Sequence, residues 1–254
     1  MKSINRRDFV KAGTLTGVAS VLGARLSAQA IPQDNDQYDF LFPTVEFHCH
    51  DENSDRWNYY PGAVRNMIRE FGSVVRCKVK EPQNCHSGSP RWGNESHFNA
   101  VVTLDSIEPL RKYPFLFMTA EGNYSLSARQ KNTLEHYLQE GGFILLDDCI
   151  RGHMGDDFYQ ASYKIFEEIF GPGSVKPIPN QHEIFQNVYD MRDIGLPLAI
   201  GHGTNHGGQG LFIGDRVAAF LSSTDLHCGW MSGGRLYQLS IQMGANIIMY
   251  ALSH

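Results

Sequence analysis

The chain has 254 residues and carries 22 basic against 27 acidic side chains, a formal net charge of −5. That balance argues against nucleic acid and against an anionic membrane surface as partners. Beyond the first thirty residues no stretch is long and apolar enough to cross a bilayer, and neither an internal repeat nor a low-complexity run is present.

The chain opens on a targeting pattern. Asn5-Arg6-Arg7-Asp8-Phe9-Val10-Lys11 resembles a twin-arginine signal: an arginine pair, a hydrophobe two residues on, then a basic residue. A mildly apolar stretch from Ala12 to Gly23 follows, and then Ala28-Gln29-Ala30, a small-x-small cleavage pattern. The apolar stretch is too short, and too rich in Gly and Thr, for a permanent anchor. Residues 1–30 are therefore expected to be a signal peptide, 31–40 a polar linker, and 41–254 a single domain. The signal holds Lys2, Arg6, Arg7, Lys11 and Arg25 against Asp8, which leaves 17 basic and 26 acidic residues, a net −9, beyond it. The resemblance implies export in folded form by the twin-arginine translocase, giving a soluble periplasmic protein with no stable membrane anchor. Folding in a reducing compartment lowers the expectation of an essential disulfide framework. The five cysteines, at 49, 77, 85, 149 and 228, are odd in number, and Cys77 and Cys85 could bridge a short loop after oxidation.

Strand and helix signals then alternate. Phe42–His48 reads as a strand, and Pro61–Phe71 as a helix with Val64, Met67, Ile68 and Phe71 on one face. Val74–Val79 reads as a second strand, and Glu81–Ser96, rich in Pro, Gly, Asn and Ser, as a loop. Tyr113–Thr119 is an apolar run of the kind a buried parallel strand shows. Ser127–Gln139 is a helix opened by a Ser127/Gln130 capping box and closed by Gly141-Gly142. Phe143–Leu146 is the next buried strand, which makes a right-handed strand-helix-strand unit. Phe158–Phe170 is a helix, Ile184–Tyr189 a short strand, Ile200–Gly210 a glycine-rich loop, Arg216–Ser222 a strand and Tyr237–Leu252 the closing helix. The alternation predicts an α/β fold with a mostly parallel central sheet.

Open parallel sheets bind ligands at the carboxyl ends of their strands. Four apolar runs end in polar chemistry: His48-Cys49-His50-Asp51-Glu52, then Ala120-Glu121-Gly122-Asn123, then Asp147-Asp148-Cys149, then Ser223-Thr224-Asp225-Leu226-His227-Cys228. His48, His50, Asp148 and His227 are the candidate metal ligands, since His with carboxylate suits zinc, iron or manganese and thiols favour softer ions. His48 and His50 alternate along an extended chain and would face one side. Glu121, Asn123, Asp147, Cys149 and Asp225 are the candidate ligand-binding residues, with Glu121 and Asp148 as candidate acid-base groups. If Asp147 and Asp148 lie buried together or near Glu121, their pKa values separate, as acid-base pairs require. The plainer alternative is that these residues cap helices and satisfy turns. Gly201–Gly210, with His202 and His206, could cradle an anion or serve as a lid or connection. Arg56-Trp57 and Arg91-Trp92 could form a recognition surface.

A family resemblance rests on Tyr113-Pro114-Phe115-Leu116, Thr119, Gly122, Leu126-Ser127, Tyr137-Leu138 and Gly141-Gly142-Phe143 with Asp147-Asp148-Cys149. It extends through Gly214-Asp215-Arg216, Ser223-Thr224-Asp225-Leu226, Gly229-Trp230 and Gly244-Ala245-Asn246-Ile247-Ile248 with Tyr250-Ala251-Leu252. These residues resemble the bacterial domain-of-unknown-function family 4159, whose members look like divergent class I glutamine amidotransferase-like domains. The resemblance implies a flavodoxin-like three-layer sandwich. It also implies that the amidotransferase elbow falls after Met118-Thr119, where Ala120-Glu121-Gly122 holds no cysteine, so amidotransferase chemistry is not expected. Three readings follow: an envelope domain that binds a small molecule or a divalent transition metal; a metal-assisted hydrolase; or a non-catalytic module that binds an envelope protein.

Overall fold

The computed structural model describes residues 38–50, 57–83, 85, 92–149, 155–198 and 204–254. The signal segment, most of the linker, Asp51, Glu52, Arg56, Arg91 and His202 lie outside the described residues.

The architecture is α/β. Seven strands form one sheet: β1 (Pro43–Val45), β2 (Ala100–Val102), β3 (Phe115–Ala120), β4 (Phe143–Asp148), β5 (Val175–Pro177), β6 (Gln209–Ile213) and β7 (Arg216–Ser222). Their order is β2-β1-β3-β4-β7-β6-β5. The first five in that order are parallel, and β6 alone runs against its neighbours β7 and β5. The helices are α1 (Pro61–Val75), α2 (Ile107–Leu110), α3 (Ala128–Gln139), α4 (Asp157–Phe170), α5 (Leu226–Gly229) and α6 (Gly234–Ser253). Helices α1, α5 and α6 pack together on one face of the sheet, and α2, α3 and α4 on the other. The result is the three-layer, flavodoxin-like sandwich expected from the sequence.

The central strands explain why. Every residue of β3 and β4 is buried, and they pair in register from Phe115↔Phe143 to Ala120↔Asp148. A strand covered on both faces needs an unbroken apolar run, which is what FLFMT and FILL supply. Between them, Ser127 Oγ accepts from the Gln130 N–H while the Gln130 side chain accepts from the Ser127 N–H, so the expected capping box forms. Gly141 ends the helix at φ 100°, a conformation that favours glycine. Replacing Ser127 with Ala leaves the Gln130 N–H uncapped and is expected to cost about 1 kcal/mol, read as a lower urea midpoint with an unchanged slope.

Three local expectations are corrected. Val74–Val79 is not a strand: α1 runs on through Val75, and Arg76, at φ 55°, ends it with the Cys77 N–H bonded to the Gly72 carbonyl. Val79 keeps one isolated bridge to Phe40 and lies so close over Gly72 that a Cβ there would come within 2.8 Å of it. Ile184–Tyr189 is not a strand either, but a 3-10 turn (Glu183–Phe185) followed by bends. The N–H groups of Val188 and Tyr189 donate to Asn246 Oδ1 of α6 at 3.1 and 2.8 Å, so a side chain takes the place of a neighbouring strand. The glycine-rich stretch ends inside β6: Gly210 crosses Ile178 where a Cβ would meet it at 2.8 Å.

Candidate metal centre

β4 and β7 are adjacent and parallel, so the segments that follow them emerge side by side. Side chains alternate along β4. The Asp147 carboxylate faces the α1–α5–α6 side, where it accepts from the N–H groups of Leu226 (3.1 Å) and His227 (2.8 Å). Asp148 faces the opposite side and accepts from the Tyr159 N–H in the first turn of α4 at 2.7 Å. Asp147 thereby anchors α5, the single turn that carries His227 and Cys228. Asp225 precedes that turn in the left-handed region (φ 59°) and accepts from the Cys228 N–H. Tyr60, across the site, is also left-handed (φ 40°). Non-glycine residues held there cost of order 1–3 kcal/mol and concentrate at functional sites.

Cys149, just past β4, reaches the same place as Cys228, and the two Sγ atoms stand 3.5 Å apart. With His227 they form a group whose ligand atoms all lie within 4.8 Å of one another. Cys149 is 1% exposed, His227 0% and Cys228 9%, so these are interior donors. Neither ring nitrogen of His227 bonds to a side chain among the described residues, and the Tyr60 backbone is the polar group within reach of the ring. Burial drives its imidazole pKa down to about 4, with the Tyr60 backbone pulling the other way. The ring is therefore neutral, as a metal ligand must be. It is held among Phe117 (ring centroids 5.6 Å), Trp230 (5.7 Å) and Tyr59 (6.4 Å). At Cys228 the Cys149 thiol pulls the pKa down, but burial and the carboxylates of Asp225 and Asp147 push it up to about 12. Two thiolates on one tetrahedral zinc at ~2.3 Å stand about 3.8 Å apart, so the observed separation needs only a few tenths of an ångström of adjustment.

The same residues lie within a recognised sequence family. The family described as Domain of unknown function (DUF4159) matches residues 45–252. The chain belongs to the DUF4159 family. No curated protein matches it.

Within this DUF4159 domain the candidate residues divide in two. His227, Cys149, Asp147 and Asp225 meet around α5. His48 and His50 are exposed, and His50 Nε2 shares a hydrogen bond with Ser125 Oγ at 2.8 Å. Neither belongs to the thiol-imidazole group. Asn123 is exposed, and its carbonyl accepts from the His50 N–H. Glu121 is 1% exposed and lies close enough to Tyr59 to act on it: burial, then the Cys149 thiol and the Glu121 carboxylate, push the Tyr59 phenol upward. Asp147 and Asp148 both rise, chiefly through burial, Asp147 to about 7 and Asp148 well above its ordinary range. Asp148 Oδ1 is buried without a hydrogen-bond partner among the described residues, and the charges acting on it include Asp147, Asp225 and Asp156. On that side His206 Nε2 pairs with Asp156, and its ring stacks on Tyr159 at 4.8 Å.

Cys228 and Tyr59 complete the site and were not singled out from the sequence. Cys228 carried a signal: a His-Cys pair after one strand and a cysteine after another become neighbours once those strands pair. Tyr59 carried none, because it arrives from a loop of different origin.

Proposed function

We propose that this DUF4159 domain binds a transition metal of the zinc class through Cys149, His227 and Cys228. The observation that carries the reading is His227: a fully buried imidazole whose nitrogens make no side-chain hydrogen bond among the described residues, beside two thiols in chelating range. Two thiolates and one imidazole around a divalent ion make a neutral complex, which a buried site tolerates. The Asp225 carboxylate beside Cys228 adds negative charge that favours a divalent over a monovalent ion.

A second reading, a metal-assisted hydrolase, draws on Tyr59 and Glu121. Three protein donors leave a fourth tetrahedral position, as catalytic zinc sites do, and Tyr59 packs against Cys149 within reach of the Glu121 charge. In that reading Glu121 would accept the proton of a water, while Asp148, held on the opposite face of the sheet by the Tyr159 N–H, would not act as the base there. Nothing favours amidotransferase chemistry, since the turn after β3 carries Glu121 and no cysteine. The wider reading remains that of an exported domain: residues 1–30 as a twin-arginine signal, 31–40 as linker and 41–254 as the domain, delivered to the periplasm. No helix among the described residues is long and apolar enough to cross a membrane.

Elemental analysis of the purified full chain tests the metal reading. About one zinc per chain is expected, lost in His227→Ala and retained in His50→Ala. Metal-free protein that takes up no zinc from a buffered series, with the thiols reduced, would reject it.

A further inference from the structure

We propose that Cys149 and Cys228 also form a reversible disulfide, so that oxidation of this pair and metal binding exclude one another. The exclusion rests on the metal reading above; the bridge itself does not.

The geometry is specific to this pair. None of the five cysteines is in a disulfide, and Cys149 and Cys228, although 79 positions apart in sequence, have their sulfurs at 3.5 Å. Closing to the ~2.05 Å of a disulfide takes about 1.5 Å of movement, within reach of side-chain rotation. Both backbones are fixed: the Cys149 N–H donates to the Ala120 carbonyl at 3.0 Å, and the Cys228 N–H to Asp225 Oδ1 at 3.3 Å. The pair is thus held in place by sheet register and by a capped turn. Cys77 and Cys85, neighbours in sequence, have surroundings of their own: Cys85 Sγ donates to the Pro82 carbonyl.

The chemistry balances with a small disulfide such as oxidised glutathione. Cys228, the more exposed of the two at 9% against 1%, attacks first as thiolate; an Sγ–S bond forms and one glutathione leaves. The Cys149 thiolate then attacks Cys228 Sγ, and the second glutathione leaves. Two protein thiols are oxidised, one glutathione disulfide is reduced to two thiols, and the two protein protons end on them. Only thiolate sulfur binds zinc strongly, so the bridge removes two of three donors and leaves His227 alone.

The test uses the full chain, stripped of metal and equilibrated in glutathione buffers of increasing oxidised fraction. After an acid quench, free thiols are counted in denaturant and the bridged peptides are mapped by mass. The expected count falls from five, the number of cysteines outside any disulfide in the structure, by two, with a Cys149–Cys228 peptide that disappears on adding dithiothreitol. Cys228→Ser is expected to lose none, and Cys77→Ser to lose the same two as the wild type. Zinc added beforehand is expected to protect both thiols and to leave in proportion as they are lost. Five persistent thiols across the stripped series, or a bridge between other cysteines, would overturn the disulfide. Zinc that stays bound as two thiols vanish would overturn the exclusion. Bridging without zinc uptake by the reduced protein would instead overturn the metal reading and leave the disulfide standing.

Discussion

Lowering the pH from 8 to 6 is expected to weaken zinc binding by about 100-fold or more, because at least one thiol proton must leave for each ion bound. The Cys228 thiol, at about 12 in the metal-free protein, is protonated throughout that range. It alone contributes about tenfold per pH unit, and Cys149 adds to this wherever it too is protonated. His227, at about 4, is already neutral and adds nothing between these pH values. Competition with a chelator of known pH dependence measures the slope. A flat response would mean that thiolates do not hold the ion.

Stability without metal should move the other way. Asp147 has its folded pKa raised from 3.8 to about 7, so the folded state holds the extra proton in that window. Its contribution is present below pH 3.8 and lost as pH rises through 7. Asp148 acts with the same sign. His227 opposes them only between about 4 and 6.5, where a depressed imidazole makes stability rise with pH. Above pH 6.5 the carboxylates prevail. Urea unfolding should therefore find the metal-free protein weaker at pH 8 than at pH 6.5, and the zinc-loaded protein less weakened or stronger. The gap between the two forms should widen as the solution becomes alkaline.

Phe117→Ala is expected to cost about 3–5 kcal/mol, the range for emptying a buried aromatic site. Phe117 is fully buried on β3, with Phe42 at 5.2 Å, Trp230 at 5.5 Å and His227 at 5.6 Å. It fills the core and also forms a wall of the His227 pocket, so the cavity should loosen the imidazole and weaken zinc binding as well. Phe143→Ala is the control. Phe143 is 1% exposed at the start of β4, stacked on Phe115 and touching Tyr250, and it should cost a similar amount with little change in zinc affinity once the folded fraction is allowed for. Equal affinity losses in both variants would show that Phe117 acts only through global stability.

The layered fold was legible because its strongest signals are local. The runs at Phe115–Thr119 and Phe143–Leu146, the Ser127/Gln130 cap and the Gly141-Gly142 stop each fix their own element. The short edge strands were not legible: three residues at Ala100–Val102 or Val175–Pro177 carry too little periodicity, and β6 is hidden behind glycines that only close packing explains. The site was half legible. Polar strand ends pointed to the right edge of the sheet, and His227, Cys149, Asp147 and Asp225 came from that reasoning. What local sequence withholds is which face each residue takes and which strands are neighbours. His48 and His50 follow β1 and are exposed, whereas Cys149 and Cys228 follow β4 and β7, which adjoin.

The outer margins of the sheet bear on how this protein behaves when concentrated. An unpaired strand edge offers a row of free backbone donors and acceptors that another chain can extend, and long flat edges seed aggregation. Here β2 and β5, the two outermost strands, have three residues each. In β5, Lys176 is exposed and Pro177 contributes no N–H to a newcomer. A visiting strand would find few places to bind and a charge to bury. The antiparallel β6–β5 extension therefore shields the long, apolar β7, which would otherwise be the margin, and keeps neighbouring molecules from zipping onto one another.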